Sequence, residues 1–494
     1  MIKNLCILGA GNAGLIAALM SRACFENMPI TVIKSSKFST IGVGEGSNEH
    51  WLDFTKITKI SVDDIILHAG ATFKHGIKFT NWKNGNDCYY HSLPEWYVSQ
   101  DTYTGLPFTL MNLVANNVSP EKIVFELALQ GKIAGPLGAD VGQFHFNTFK
   151  LNSFLEKLCI DRNISIIDDT ILDIQLNEQG HVKELVGEKL NYSADFFIDT
   201  SGFSRVIHNK LESKWLSYQK YLPTNAAIAF PSPLAGQIPT FTECVARKYG
   251  WSWKAPVQDR YGNGYVYNDT MLNMKGAVNE LQSEYNETIQ VAKQINFNPG
   301  RVDKFWIKNC VAVGLSGSFI EPLEASNIGT TIEQMKCFCA SIICWSNTDH
   351  WIAQRYNDIF SRVSENILDF VQLHYITQRE DTEFWRWCKY DMPLTEFNQA
   401  TLEHFKTNFV SYNFFHENNY ELFDELDWIQ VMHGLGLFDT DKIKQMYLDN
   451  FREWELVTKK ELSKIPNEQT WEFLSHEQTI ELIKHKWQLQ NQSV

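Results

Sequence analysis

The stretch "KNLCILGAGNAGLIAALM", residues 3–20, decides the fold. An apolar run ends at Leu8, then Gly9, Gly11 and Gly14 follow in the spacing G-x-G-x-x-G, and a run rich in Ala and Leu reads as a helix. The first glycine permits the tight turn. The second lets a pyrophosphate approach the backbone, and the third lets helix and strand pack, with phosphate at the helix N-terminus. Ala13 belongs to the same turn. A lone glycine fingerprint is weak, but one that follows a strand and opens a helix has the context its mechanism requires. Next comes "PITVIK" (29–34), a second strand that should end in the acid that holds an adenosine ribose. Lys34 and Ser35 stand there instead, so ribose recognition departs from the usual pattern.

Two later segments repeat the strand-then-glycine theme. "ADFFIDTSGFSRVI" (194–207) runs into Asp199 and Gly202, and "NCVAVGLSGSF" (309–319) opens into Gly314. Both read as late strands of a doubly wound sheet, whose ligands lie beyond the carboxyl ends. From about Thr331 the apolar spacing turns helical, as in "HWIAQRYNDIFSRVSENILDFVQLHY" (350–375). No second fingerprint follows a strand, and "HGLGLF" (433–438) reads as a turn among helices. With one nucleotide site, a chain that uses a reduced cofactor would receive it from elsewhere.

The chain has 494 residues with a net charge of −14, which excludes nucleic-acid binding through phosphate neutralisation. Aromatics at 13% suit a dense core with aromatic-walled pockets. Its start enters a strand directly without an apolar leader, and its longest apolar run is too short for a bilayer. Ten cysteines without a C-x-x-C pair read as buried thiols rather than a metal site. A cytoplasmic location is expected, no membrane partner is expected, and assembly into a homo-oligomer stays open.

A further stretch, "SGSFIEPLEASNIG" (316–329), sets Glu321 and Glu324 around a proline among apolar and small residues. Carboxylates there are costly to bury unless partnered. They read either as acids in the first turn of a surface helix or as site residues. Within "GWSWKAPVQDRYGNGYVY" (250–267), Trp251 and Trp253 at spacing 2 are consistent with one face of a strand. With Pro256 they also resemble the WxWxxP signature of flavin-dependent halogenases, the group typified by tryptophan halogenases, with Ala255 in place of its isoleucine. "GATFKHGIKFTNW" (70–82) looks like the family segment carrying the catalytic lysine, which falls on Lys74. "IGVGEGSNE" (41–49) resembles the strap between flavin and substrate sites, with Gly46 and Glu49 replacing Ala and Pro. "SGSFIEPLEAS" matches the segment whose catalytic glutamate falls on Glu324. "LHYITQREDTEFW" (373–385) and "DWIQVMHGLGL" (427–437) resemble later helical segments, so the likeness runs in order to about residue 437.

The resemblance implies an α/β chain: a Rossmann-like FAD-binding domain of glutathione-reductase/aromatic-hydroxylase type, with an additional β-sheet and a C-terminal helical subdomain. The boundaries expected are 1–340 for the FAD domain with its interwoven substrate-side sheet and 341–494 for helices covering the substrate site. It implies FAD, used as FADH2 from a separate flavin reductase, held by Gly9, Gly11, Ala13, Gly14, Gly44, Glu45, Ser47, Asp199, Gly314 and Ile328. Halide would sit on the backbone N–H groups of Ser326 and Asn327, where the family commonly has Thr-Gly. The added Asn side chain reshapes that site and favours bromide or iodide over chloride. Lys74 would hold hypohalous acid, by hydrogen bond or as a haloamine, and Glu324 would polarise it and take the ring proton. "DCYYHSLP" (87–94) resembles a pocket strand that places His91 and Leu93 at a small aromatic substrate, with Phe423 beyond. An aliphatic Leu93, and no recognisable amino-acid clamp in residues 410–428, point to a phenol or indole rather than free tryptophan. A flavin-dependent aromatic hydroxylase and a non-catalytic flavin-binding homologue remain as alternatives.

Overall fold

Leu5–Leu8 is a strand buried at all four positions, as a central parallel strand covered on both faces must be. The computed structural model that contains it describes residues 2–38, 45–91, 111, 114–115, 132–133, 143–346, 350–410, 415, 419–450 and 474–492. Parallel neighbours flank this strand, in register Leu5↔Ile30 on one side and Leu5↔Phe196 on the other. Ser165–Asp168 extends the sheet beyond Ile30–Lys34, and Cys310–Ala312 extends it beyond Phe196–Asp199. Numbered along the chain, the parallel strands lie in the order 3-2-1-4-5, that of a doubly wound nucleotide domain. The expected Rossmann-like fold is present. A short antiparallel strand, Trp306–Ile307, closes the edge.

The helix Asn12–Cys24 buries Leu15, Ile16, Leu19 and Met20 and packs on the helices Thr148–Asp161 and Ser326–Ile342. Cys6, Leu8, Ile33, Leu185, Phe197 and Ile207 form a compact apolar cluster on the same sheet. These elements belong to one compact unit, made of residues 1–70, 146–218 and 298–365. A second unit comprises 71–145, 219–297 and 366–494. Each unit is therefore assembled from three separated segments of the chain. Local periodicity reports each element, but strand pairing between segments far apart in sequence decides its unit, and no local pattern carries that information.

In the second unit, seven strands form a mostly antiparallel sheet from Lys293–Asn296 at one edge to Cys88–His91 at the other. Its central hairpin pairs Gly250–Pro256 with Tyr261–Tyr267, setting Trp251 against Val266 and Trp253 against Gly264. Trp253 lies on Gly264, where a Cβ would sit 1.8 Å from the indole, so glycine is required there. The two indoles lie 6.0 Å apart, so the paired tryptophans are one face of a strand. The helix Glu425–Leu435 starts at a capping box formed by Asp424 and Asp427. It ends at Gly436 with φ +68°, so the 433–438 segment, read from sequence as a turn, holds the last residues of this helix and its left-handed stop.

Candidate active site

The glycine turn divides its roles as the spacing implies. A Cβ at Gly9, whose φ is +114°, would lie 2.5 Å from Thr200 O, and one at Gly14 would lie 2.0 Å from Gly9 O. At Gly11 nothing lies within 4 Å, which leaves an open approach. The helix beginning at Asn12 has no side-chain cap and no acid in its first turn. Its leading N–H groups are thus available to an anion, and the turn fits the diphosphate of FAD. Ala13 and Gly314 meet: a Cβ on Gly314, at φ +64°, would lie 2.8 Å from that of Ala13. Asp199 is fully buried and accepts from the N–H groups of Ser201, Ile207 and His208 and from the Ser201 hydroxyl. Among the described residues its carboxylate shapes the turn after its strand. Lys34, at the end of the second strand, pairs with Glu156. A carboxylate thus reaches that strand end from a distant helix, which the local pattern could not reveal.

Of the strap, Gly44 lies outside the described residues, Glu45–Gly46 forms a two-residue strand, and Ser47 is buried. Asn48 is buried too, and its carboxamide has no hydrogen-bond partner among the described residues. It packs on Gly329, where a Cβ would lie 2.3 Å from Asn48 Nδ2. An orphaned amide beside the first turn of a helix is a further mark of a ligand site. His50 follows, 2.7 Å from Glu333 and 3.2 Å from Glu49. Burial opposes its charge, but the charges and hydrogen bonds of Glu49 and Glu333 outweigh burial and hold the imidazolium up to about 10. Lys336 also reaches Glu333, at 2.8 Å, and Asp53 at 2.5 Å. A proton held more tightly in the folded than in the unfolded state stabilises fully below the ordinary value of 6.5, and that gain is lost as pH rises through about 10. The melting temperature of the chain is therefore expected to fall from about pH 7 to about pH 10, and less steeply in His50→Gln. Parallel pH profiles for the two proteins would refute the tie.

Glu321 and Glu324 are 0% and 5% exposed, so the surface-helix reading of this stretch fails. Glu324 and Ala325 both have left-handed backbones, with φ +66° and +54°. Two successive non-glycine residues there cost roughly 1–2 kcal/mol each, strain of the kind that clusters at functional sites. The helix Ser326–Ile342 then begins without a side-chain cap. Ser326 and Ile328 are buried and Asn327 is half-buried at its first turn, where N–H groups have no intrahelical partner.

Lys74 belongs to the second unit and Glu324 to the first, so each is described within its own. The two-residue strand Thr72–Phe73 pairs with Phe144–Phe146, and the Lys74 N–H continues toward Gln143 O at 2.9 Å. Only 3% of Lys74 is exposed, which removes the reading of a solvated strand lysine. Opposite Thr72 stands His145, on the face that Lys74 shares by alternation. Burial, then the Lys74 charge, then His476 hold His145 well below the usual histidine range. His145 is thus a neutral neighbour of the lysine, and no sequence motif marks it.

His91 is buried and 2.9 Å from Asp427, the residue that also closes the capping box. Its ring lies 5.4 Å from Phe370, which stacks on Phe423 at 4.1 Å. His91 and Phe423 therefore share one aromatic cluster, and Leu93 lies outside the described residues. Asp427 and Phe370 escaped sequence reasoning. The first was legible only as a helix-start acid, the second as one apolar position among many.

A family model described as "Tryptophan halogenase" matches residues 4–447. The 7-chloro-L-tryptophan 6-halogenase KtzR of Kutzneria sp. is 30% identical over 426 residues, spanning 77% of this chain and 80% of that one. Among solved structures, BrvH, a flavin-dependent halogenase from Brevundimonas sp., superposes with a TM-score of 0.81 at 25% identity, covering 98% and 99% of the two chains. A tryptophan halogenase from Shewanella frigidimarina gives a TM-score of 0.83 at 25% identity, covering 98% of each. With the glycine turn, the strained glutamate and the buried lysine in the matched span, the chain belongs to the tryptophan halogenase family of flavin-dependent halogenases.

Proposed function

We propose that the chain halogenates an electron-rich aromatic small molecule of phenol or indole type, through hypohalous acid handled by Lys74 and Glu324. The observation that carries this reading is a lysine buried directly after a two-residue strand and beside a neutral histidine, where a solvent-facing role is excluded. Bound FAD, reduced by a separate flavin reductase, supplies with oxygen the two-electron oxidation of halide to hypohalous acid. The N–H groups of Ser326 and Asn327 hold the halide at an uncapped helix start. Asn327 and the left-handed Ala325 reshape that start and favour bromide or iodide. The Lys74 amine keeps the halogen from water, by donating to hypohalous acid or by carrying the halogen as a haloamine with loss of water. As the arene carbon–halogen bond forms, Glu324 takes the ring proton. His91, fixed by Asp427, and Phe423 line the arene side. The tryptophan substrates of the named relatives are theirs. Leu93 and the missing amino-acid clamp favour a smaller arene here.

The test supplies purified chain with FAD, NADH, a flavin reductase, each halide and an arene panel, read by mass spectrometry. Halogenated phenols or indoles are expected, with free tryptophan slower by at least about ten-fold, the scale on which pocket contacts discriminate. No NADH should be consumed without the reductase. Efficient tryptophan turnover would overturn the substrate assignment. A hydroxylated product independent of halide would replace halogenation with monooxygenation.

A further inference from the structure

The backbone around Lys74 is fixed by a side chain that arrives some four hundred residues later, and its geometry repairs a gap in a sheet. The strands Ile77–Thr80 and Thr242–Ala246 pair in parallel. Upstream, the pairing continues through Thr242 N–H to Gly76 O at 3.1 Å and His75 N–H to Thr240 O at 2.6 Å. One residue pair earlier the direct ladder stops. Phe73 N–H donates instead to His476 Nε2 at 2.9 Å, and His476 Nδ1 lies 3.2 Å from Ile238 O. An imidazole thus stands between an amide and a carbonyl that would otherwise meet. Both bonds form only in the neutral Nδ1–H tautomer, since Nε2 must accept and Nδ1 must donate.

The next side chain secures the same segment: Glu477 accepts from Ile238 N–H at 2.5 Å. His476 is fully buried, and its ring lies 5.9 Å from that of Phe73. It opens the C-terminal helix, His476–Gln492. Burial first holds this imidazole down to about 4, so it stays neutral, as both bonds require. Three successive amides therefore have three different partners: Phe73 on His476, Lys74 on Gln143 and His75 on Thr240. A backbone fixed at three consecutive amides fixes the Cα–Cβ direction of each side chain. The direction in which Lys74 leaves the strand is set there. His476 lies beyond the family match, which ends at residue 447.

We propose that His476 is a positioning residue for Lys74, an imidazole bridge that fixes the strand one residue before the lysine and so aims its amine. This rests on the reading of Lys74 as the amine that holds the halogen. Two variants separate aiming from packing. His476→Phe fills the volume without either hydrogen bond, and His476→Gln restores an acceptor for Phe73 N–H. Three readouts apply: hydrogen exchange over residues 72–75, arene KM, and the split of consumed oxygen between halogenated product and peroxide.

In His476→Phe, the Phe73 amide is expected to exchange faster. The product share should fall by at least about ten-fold, with oxygen consumption and arene KM little changed, the loss expected when a reacting group is misplaced rather than removed. His476→Gln is expected to recover protection and most of the product. An unchanged product share in His476→Phe, or equal losses in both variants with lowered melting, overturns the proposal. If the wild-type chain halogenates no arene, the functional reading falls. The exchange arm still judges the bridge, and unchanged Phe73 protection in His476→Phe overturns it.

Discussion

Lys74→Ala is expected to leave no halogenated product above background while FAD binding and reoxidation by oxygen persist. In the proposed mechanism the lysine acts after the halide has been oxidised, so its loss should divert oxidant to peroxide or free hypohalous acid rather than stop oxygen uptake. Removing a partner that acts at the reacting atoms costs at least about 10²–10³-fold. Because only 3% of Lys74 is exposed, alanine also opens a void, and Lys74→Met guards against misreading it. Methionine keeps an unbranched stem and removes the amine. It should be as inactive as alanine with a melting temperature nearer to wild type. A spectroscopic check accompanies it: the Lys74 charge is the largest cause after burial of the low basicity of His145, so His145 should titrate higher in Lys74→Met. Product at near wild-type rate in either variant would end the assignment of Lys74.

What the sequence made legible was local chemistry in order. The glycine turn could be read because each glycine answers a separate steric demand, and Gly9, Gly11 and Gly14 meet those demands in turn. The tryptophan pair could be read as a strand because alternation is a local property, and Trp253 lies on Gly264 accordingly. The acids of "EPLEAS" stayed ambiguous, since a helix start and a strained buried turn share the same composition. Only the backbone angles at Glu324 and Ala325 decide between them. Illegible were the partners that tertiary folding supplies: Glu156 for Lys34, Glu333 for His50, Asp427 for His91, and His145 and His476 around Lys74. A single histidine has no periodicity and no spacing to read. Its meaning comes from the group it faces, and that group stands tens to hundreds of residues away.

Glu324→Gln is expected to lower halogenation about 10²–10⁴-fold, the usual cost of losing a general base, without ending it. Glutamine keeps the shape and can still hydrogen-bond hypohalous acid, but it cannot take the ring proton as the arene loses it. The fold should notice little, because glutamine and glutamate tolerate the left-handed backbone at φ +66° equally poorly. Glu324→Gly sharpens the contrast. It relieves a strain of roughly 1–2 kcal/mol but removes the carboxylate and opens a void at a side chain only 5% exposed, so it should melt lower than Glu324→Gln and make almost no product. Glu321→Gln, buried three residues earlier, is the control: a modest loss of stability with halogenation retained. If both glutamates served only to start the helix Ser326–Ile342, the difference in product between them would vanish. Each glutamine would then cost about 0.3–1 kcal/mol of stability, and product per folded molecule would stay constant. Product, peroxide and melting temperature measured together on the three variants decide between the two, and undiminished product from Glu324→Gln would remove the base from the mechanism.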